Sequence, residues 1–419
     1  LAIAVQIFIY ILYFLSGPLV WAFLVWGLHS SKKRMRLFRN PPDEVPTPAP
    51  LVTILVPAKD EGERIRPCLN SILALDYPNF QLIAINDRSS DNTGQILNEM
   101  AAADPRVLAV HIKDGELPPR WTGKNHALYV GAQKAKGDWL LFIDADVIVY
   151  PPALRRTLGT AIARLFDMVS LMPRMEFHSF WEGVMTPLGG MMTATLHLAP
   201  LCNTNGAPKI GFANGQFMLV KRSAYDAIGG HERVRNIYGE DVALARALKI
   251  NGFRPRVTMG ADLCQVRMFD SFQKILRGWA RILFASAESV WRNITGLVIL
   301  LIAGYGVIPA AIWGIYERSH AAGFPEGNIW GNTSANIWGN IWLATAVLHF
   351  VLISVDLGIM YYMTRTRWWY ALFFLPLSGP LLVYVMARSI RLSFSKRLEW
   401  RGTSYTAGST INQSPVTGR

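Results

Sequence analysis

Charge is scarce in these 419 residues: Asp, Glu, Lys and Arg together make up 17%, against 51% hydrophobic residues. A chain so apolar and so poor in charge is neither disordered nor wholly soluble, and part of it must sit in lipid. Acidic residues are the scarcer sign, 29 against 42 basic, for a net charge of +13. In a membrane protein that excess points first to anionic headgroups or an anionic substrate, with nucleic acid the weaker reading. Cysteine is nearly missing as well. Cys68, Cys202 and Cys264 stand far apart, which excludes a disulfide framework and a CxxC metal knuckle and fits a reducing, cytosol-facing domain. The length exceeds one ordinary core and predicts two to three structural units, so a small binding module is excluded.

What is present is a set of long apolar runs. Residues 3–28 carry no charge, enough helix to cross a bilayer core of roughly 30 Å, with Ser16-Gly17-Pro18 as a kink. Residues 1–30 are therefore expected to form a transmembrane helix. The run has no basic stretch before it and no small-residue cleavage site, while Lys32, Lys33, Arg34, Arg36 and Arg39 follow it. This argues against a cleaved signal peptide and places the following residues in the cytoplasm. Residues 31–50 read as a basic, proline-rich linker. From residue 51 to 270 strand and helix patterns alternate, which predicts an α/β domain with a mostly parallel sheet covered on both faces. Its strands are expected at 51–56, 81–86, 107–111, 139–143 and 168–172, with helices such as 63–75 and 124–136.

Residues 271–292 have the spacing of an amphipathic helix lying in the headgroup layer. Residues 293–387 form a C-terminal membrane region: two spans, 294–316 and 341–363, joined by a Gly/Asn-rich external loop, and a last apolar stretch, 368–386. Counted as a span, this stretch would send the basic tail 388–419 outside, against the positive-inside rule. A re-entrant hairpin bent at Pro376 and Pro380 would keep it cytoplasmic, and both arrangements remain open. The segment after residue 406 reads as a disordered tail.

Acidic residues gather where predicted strands end, the edge at which open α/β sheets bind ligands. Asp60 and Glu61 follow the first strand, and Asp87 and Asp91 close the second; capping of the following helices is the bland alternative for Asp60 and Asp91. Asp144-Ala145-Asp146 ends a buried strand, and in an extended segment that spacing points both carboxylates the same way. Two hard oxygen ligands with room for water and phosphate suit Mg2+ or Mn2+ bound together with a diphosphate.

In order and spacing, Trp121-Thr122-Gly123-Lys124, Phe180-Trp181-Glu182, Gly215 to Lys221, Gly239-Glu240-Asp241, Val266 to Phe269 and Trp400-Arg401-Gly402 resemble the membrane-bound glycosyltransferases of family 2, which have the GT-A fold. Within that family they resemble the branch associated with hopanoid and carotenoid glycosylation. The resemblance implies that Pro57, Ala58, Asp60 and Glu61 line the nucleoside pocket and that Asp87 contacts the base and ribose. It implies that Asp146 and Asp144 hold the metal on the diphosphate and that Lys124 approaches the nucleotide phosphates. Asp241, with Glu240 beside it, would be the general base of an inverting transfer. The family's QxxRW signature is present only in altered form from Gln273 to Trp279, which leaves Arg277 and Trp279 as interface or acceptor-side anchors.

The function implied is transfer of a sugar from a nucleotide-diphospho-sugar, a UDP-sugar for preference, to a membrane lipid of hopanoid, carotenoid, polyprenyl or glycolipid type. The alternatives are a processive polysaccharide synthase and a non-catalytic subunit of an export or assembly complex. The expected location is a bacterial inner (cytoplasmic) membrane, multi-pass, with the catalytic domain facing the cytoplasm. The interface helix would hold the site at headgroup height. The partners are donor, acceptor lipid and bilayer, without nucleic acid.

Overall fold

The computed structural model of the protein describes residues 2–34, 47–197, 199–205, 210–287, 289–322, 329–395, 397–400 and 403–406. Arg36, Arg39 and the prolines at 41, 42 and 46 of the expected linker, Lys396, Arg401, Gly402 and the tail from residue 407 lie outside the described residues.

Two helices, α1 (Ala2–Ser16) and α2 (Pro18–Arg34), come first. Next are β1 (Val52–Ala58), α3 (Ile65–Leu73), β2 (Phe80–Asp87), α4 (Thr93–Ala103), β3 (Val107–Ile112), α5 (Gly123–Lys134), β4 (Trp139–Ile143), β5 (Val147–Val149) and α6 (Ala153–Ala163). The chain continues through β6 (Met168–Met172), β7 (Arg174–Met175), α7 (Phe180–Leu196), α8 (Ala199–Cys202), β8 (Phe217–Lys221), α9 (Arg222–Ala227), α10 (Gly230–Arg233), α11 (Glu240–Ile250), β9 (Pro255–Met259) and β10 (Cys264–Val266). It finishes with α12 (Phe272–Ala287), α13 (Val290–Ile299), α14 (Val307–Ala322), α15 (Ile329–Met363), α16 (Gly379–Ser395) and a hairpin of β11 (Arg397–Trp400) and β12 (Thr403–Thr406). The chain divides into two compact units, one of Leu1–Ser31, Ser179–Met192 and Ser271–Phe394, the other of the remaining segments.

The second unit holds a seven-stranded sheet in the order β3-β2-β1-β4-β8-β6-β9. Neighbours pair in parallel except β8, which runs antiparallel to both β4 and β6. Both faces are covered, as near-continuous apolar strands require. Ile54, Leu82, Leu141 and Leu219 pack with Ile65 and Leu69 of α3, Leu97 of α4 and Leu158 of α6 on one face. Leu55, Ile83, Phe142 and Met218 pack with Leu128 of α5 and Leu244 and Leu248 of α11 on the other. The reversed strand has a positional consequence. Phe217 pairs with Ile143, so the start of β8 lies at the same sheet edge as the ends of β1, β2 and β4.

In the first unit, four helical runs are long and apolar enough to cross a membrane: Ala4–Gly27, Val290–His320, Thr333–Met363 and Trp368–Phe394. The expected Gly/Asn-rich external loop is shorter than anticipated, because α15 already begins at Ile329. Glycines let the helices close in: an added Cβ at Gly314 would meet Leu343, and one at Gly339 would meet Arg318. Together with the His349 Nε2 to Ala303 carbonyl contact at 2.8 Å, these approaches make α15 antiparallel to α13 and α14, so Tyr361 lies toward the Val290 end. Asp356 of α15 is wholly enclosed, and neither carboxylate oxygen has a hydrogen-bond partner among the described residues.

The last run also returns to the Val290 end. Tyr370 stacks edge-on to Tyr361, the Tyr305 hydroxyl donates to the Leu375 carbonyl at 3.4 Å, and Asn293 Nδ2 donates to the Ser389 hydroxyl at 3.0 Å. A run that starts and finishes at one end of the bundle has the geometry of a re-entrant hairpin, even though its length would suffice to cross.

Helix α7 was not foreseen in the sequence, although Ser179 caps its start: the Ser179 hydroxyl accepts the Glu182 N–H at 3.3 Å and donates to Glu182 Oε1 at 2.8 Å. Its Gly189 lies directly against the Trp279 indole of α12. Gly189→Ala forces a methyl group into that ring and should cost about 1–3 kcal/mol. Thermal unfolding of the detergent-purified protein should show a lowered Tm, partly recovered by Trp279→Phe in the same chain; an unchanged Tm would show that α7 and α12 do not pack this closely.

Candidate active site

The site forms where β1, β2 and β4 end. The loops after β1 and β2 are joined by polar contacts: the Ser90 N–H and hydroxyl donate to Asp60 Oδ1 at 2.7 and 3.1 Å, and the Glu61 and Gly62 N–H groups donate to Thr93 Oγ1 and Asp91 Oδ2, each at 2.9 Å. Asp60 therefore binds loop to loop and caps no helix; α3 begins after Arg64 without a side-chain cap. Asp91 keeps part of its bland role, accepting the Thr93 N–H at 3.0 Å. Pro57 and Ala58 form the last pairs of β1, opposite Ile85 and Asn86. Asp87 is nearly buried and gripped by the next residue, with Arg88 Nε and Nη2 donating to its two oxygens at 2.7 and 3.0 Å. The first turn of α5 packs on this pair through Gly123, where no Cβ would fit.

Asp144 and Asp146 are not arranged as an extended segment would arrange them. They sit in the turn between β4 and β5, closed by the Val147 N–H on the Asp144 carbonyl at 3.1 Å, and they take different cations. Asp144 Oδ1 lies 2.7 Å from Lys124 Nζ, and Asp146 Oδ2 lies 3.8 Å from Arg64 Nη1. Arg64, which also pairs with Asp270 at 3.0 Å, went unrecognised in the sequence; its only signal is a basic residue three positions after Glu61. The Asp146 carboxyl is pushed up to about 7, first by burial and then by the charges of Asp144 and Glu61, against the pull of Arg64 and Lys124.

Lys124 also reaches Glu240 Oε1, at 2.8 Å. Its ammonium thus joins the β4 turn to the head of α11. Burial opposes the charge on Lys124, but Asp144 and Glu240 outweigh it and hold the amine well above its ordinary range. Burial likewise opposes ionisation of Glu240, and Lys124 outweighs it, keeping that carboxyl below the usual range. Asp241 is fixed by two N–H donors, Gly215 on Oδ2 and Val242 on Oδ1, both at 2.8 Å. Burial and the neighbouring Glu240 nonetheless push its carboxyl up to about 7. Gly215 is a second functional residue missed by reasoning from residue type, since it acts through its backbone N–H. It reaches Asp241 because reversed β8 starts at this edge.

Two expected site residues belong to the other unit. Arg277 and Trp279 belong to α12, in the unit with the apolar helices. Arg277 is exposed, whereas Trp279 is 3% exposed and packed on Gly189, which suits a core residue and not a headgroup anchor.

Removing Lys124 tests the ion pair. Its stabilisation through Glu240 is complete above the unfolded carboxyl value of about 4.3 and is lost as the pH falls through the lower folded value. Lys124→Met should therefore cost about 1–3 kcal/mol at pH 7.5, discounted because Lys124 is one-third exposed. The gap from the parent protein, measured by denaturant unfolding, should narrow below about pH 4; a gap independent of pH would mean that packing, not charge, holds these elements.

Comparison with known proteins agrees with this geometry. The family described as Glycosyltransferase like family 2 matches residues 48–275, more than half of the chain. A 4,4'-diaponeurosporenoate glycosyltransferase from Staphylococcus aureus is 26% identical over 260 residues, 60% of this chain and 66% of that relative. The chain thus spans just under two thirds of the length of the curated relatives it matches. Among solved structures, the mannosyltransferase PcManGT from Pyrobaculum calidifontis, in complex with GDP-Man and Mn2+, overlaps 85% of this chain and 99% of its own with a TM-score of 0.50 at 18% identity. The sheet and its covering helices are the GT-A fold, and the chain belongs to glycosyltransferase family 2.

Proposed function

We propose that the protein transfers a sugar from a nucleoside diphosphate donor to a membrane lipid with inversion at the anomeric carbon. The observation that carries this reading is Asp241: a carboxyl held by two backbone N–H groups, with its proton affinity near neutrality, in one cluster with Lys124 and Asp144. Asp241 accepts the proton of an acceptor hydroxyl as that oxygen attacks the anomeric carbon and the bond to the diphosphate breaks. Lys124 leaves its carboxylates for the departing phosphates. The loops carrying Pro57, Ala58, Asp60, Glu61 and Asp87 take the nucleoside. The lipid acceptor is supported by the apolar helices in the same chain and by the carotenoid acid in the relative's name. A bacterial cytoplasmic membrane with the basic segments inside remains the location proposed.

The residues fit a divalent ion bound together with the donor. Asp144 and Asp146 supply hard oxygens, and Asp146 resists ionisation first through burial and then through the negative charges of Asp144 and Glu61, which a bound cation would offset. Among the described residues no group of three or more His, Cys, Asp or Glu could hold a metal, so phosphate oxygens would complete the shell. Bound there, Mg2+ or Mn2+ would neutralise the leaving diphosphate.

Calorimetry of UDP-glucose, UDP-N-acetylglucosamine and GDP-mannose with Mg2+ or Mn2+, repeated with chelator, should find one donor that binds only with metal, and Asp146→Ala should weaken it. Binding of none would sink the reading. For a polyprenol hydroxyl, kcat/KM, which reports the free enzyme, should rise with pH through about 7, because the ionised form of Asp241 is the active one. Asp241→Asn should retain donor binding and lose at least about 100-fold in kcat; unchanged turnover would remove Asp241 from the mechanism. A carotenoid acid, already ionised, has no proton to give and should show a much smaller loss.

A further inference from the structure

His231 is wholly buried. It sits on α10, whose entry through Gly229 and Gly230 uses left-handed backbone, and a Cβ at Gly230 would strike the Tyr225 ring. The close approach places the Tyr225 hydroxyl on two atoms of one residue: it accepts the His231 N–H at 3.0 Å and stands 2.8 Å from Nδ1. With its oxygen already accepting, the buried phenol has Nδ1 as the one acceptor for its own hydrogen among the described residues. Nδ1 is therefore the accepting nitrogen and the ring proton is on Nε2. Phe142 of β4 packs edge-on against the ring, with centroids 4.9 Å apart.

Nε2–H is then a buried donor, and it has no hydrogen-bond partner among the described residues. Such a group calls for an explanation. The ionised groups acting on the ring are Glu240 of α11 and Lys124 of α5, opposite in sign, and burial keeps the imidazole neutral, with its pKa down at about 3. Both elements that carry these charges pack against α10, and α5 is also tied to the segment that follows it. Asn125 Nδ2 donates to the Val234 and Ile237 carbonyls at 2.7 and 3.0 Å, and the Thr122 N–H donates to the Arg235 carbonyl at 2.7 Å.

We propose that His231 is a positioning residue for Glu240: when Lys124 turns to the donor phosphates, the idle Nε2–H takes its place on the Glu240 carboxylate. Glu240 is buried, and Lys124 is its one cation partner among the described residues; a neutral N–H donor holds the carboxylate in place while leaving its negative charge to act on Asp241. Tyr225 fixes the tautomer, as a partner on the far nitrogen does for a ligating histidine. The inference rests on the transferase reading above, through the move assigned to Lys124.

The test uses the full chain in detergent, labelled with 15N-histidine, and the donor found by calorimetry, added with diamagnetic Mg2+. The Nε2–H resonance, assigned by its loss in His231→Phe, should move downfield on saturation with donor. His231→Phe should bind donor within about twofold of the parent and lose roughly 10- to 100-fold in kcat. His231→Gln, whose amide can place an N–H near the same point, should recover most of that loss. A resonance unmoved at saturating donor, or equal losses in the Phe and Gln variants, would overturn the positioning role while leaving the transferase reading intact. Failure of every donor to bind would overturn both.

Discussion

The site depends on one ammonium group. Lys124 Nζ lies within 2.8 Å of carboxylates on two different elements, Asp144 after β4 and Glu240 at the head of α11. Without it, the sheet edge would bring Glu61, Asp144, Asp146, Glu240 and Asp241 together, with Arg64 beside Asp146 left to oppose them. The same lysine sets the proton affinities on both sides, lowering that of Glu240 and restraining those of Asp146 and Asp241. In the mechanism proposed above, a phosphorylated donor that draws Lys124 away would change the charge around Asp241 as it takes up its proton.

The reversed strand β8 makes this convergence possible. In a wholly parallel sheet, the segment from Asn214 to Phe217 would enter its strand at the opposite edge. Running antiparallel between β4 and β6, β8 starts beside the end of β4, and Gly215 can donate to Asp241. The electrostatics and the topology are thus one arrangement: a basic helix start on α5, an acidic helix start on α11, and a backbone N–H delivered between them.

Strong periodicity made much of this legible in the sequence. The strands β4 and β6 have the bounds expected of them, and β1, β2 and β3 differ by one or two residues, because continuous runs of buried Val, Ile and Leu leave little freedom. The acidic loops were legible because carboxylates collect at strand ends. Less visible was anything set by partners far away in sequence. The split of Asp144 and Asp146 between Lys124 and Arg64 follows from a turn, where an extended segment had been expected. The reversal of β8 leaves no periodic mark, and the N–H of Gly215 is indistinguishable from any other. Helix α7 was hidden by Pro187, Gly189 and Gly190, residues that ordinarily argue against a helix; here Gly189 is needed for the approach of Trp279. The burial of Trp279 was hidden for the same reason, since nothing local in the sequence marks Gly189 as its neighbour.

The chain passes between its two units five times, at residues 31, 178, 192, 270 and 394, and one of these excursions is the short stretch Ser179–Met192 inside the catalytic sequence. Trimming away the terminal apolar segments would therefore not liberate a soluble catalytic fragment. A piece cut to the family's limits, residues 48–275, would still carry α7, with Gly183 and Gly189 stripped of the Tyr370 and Trp279 rings that lie against them. Val184 would also lose the Tyr361 hydroxyl that now donates to its carbonyl at 2.7 Å. Domain and apolar helices are interleaved in the chain, so they must be handled at the bench as a single object.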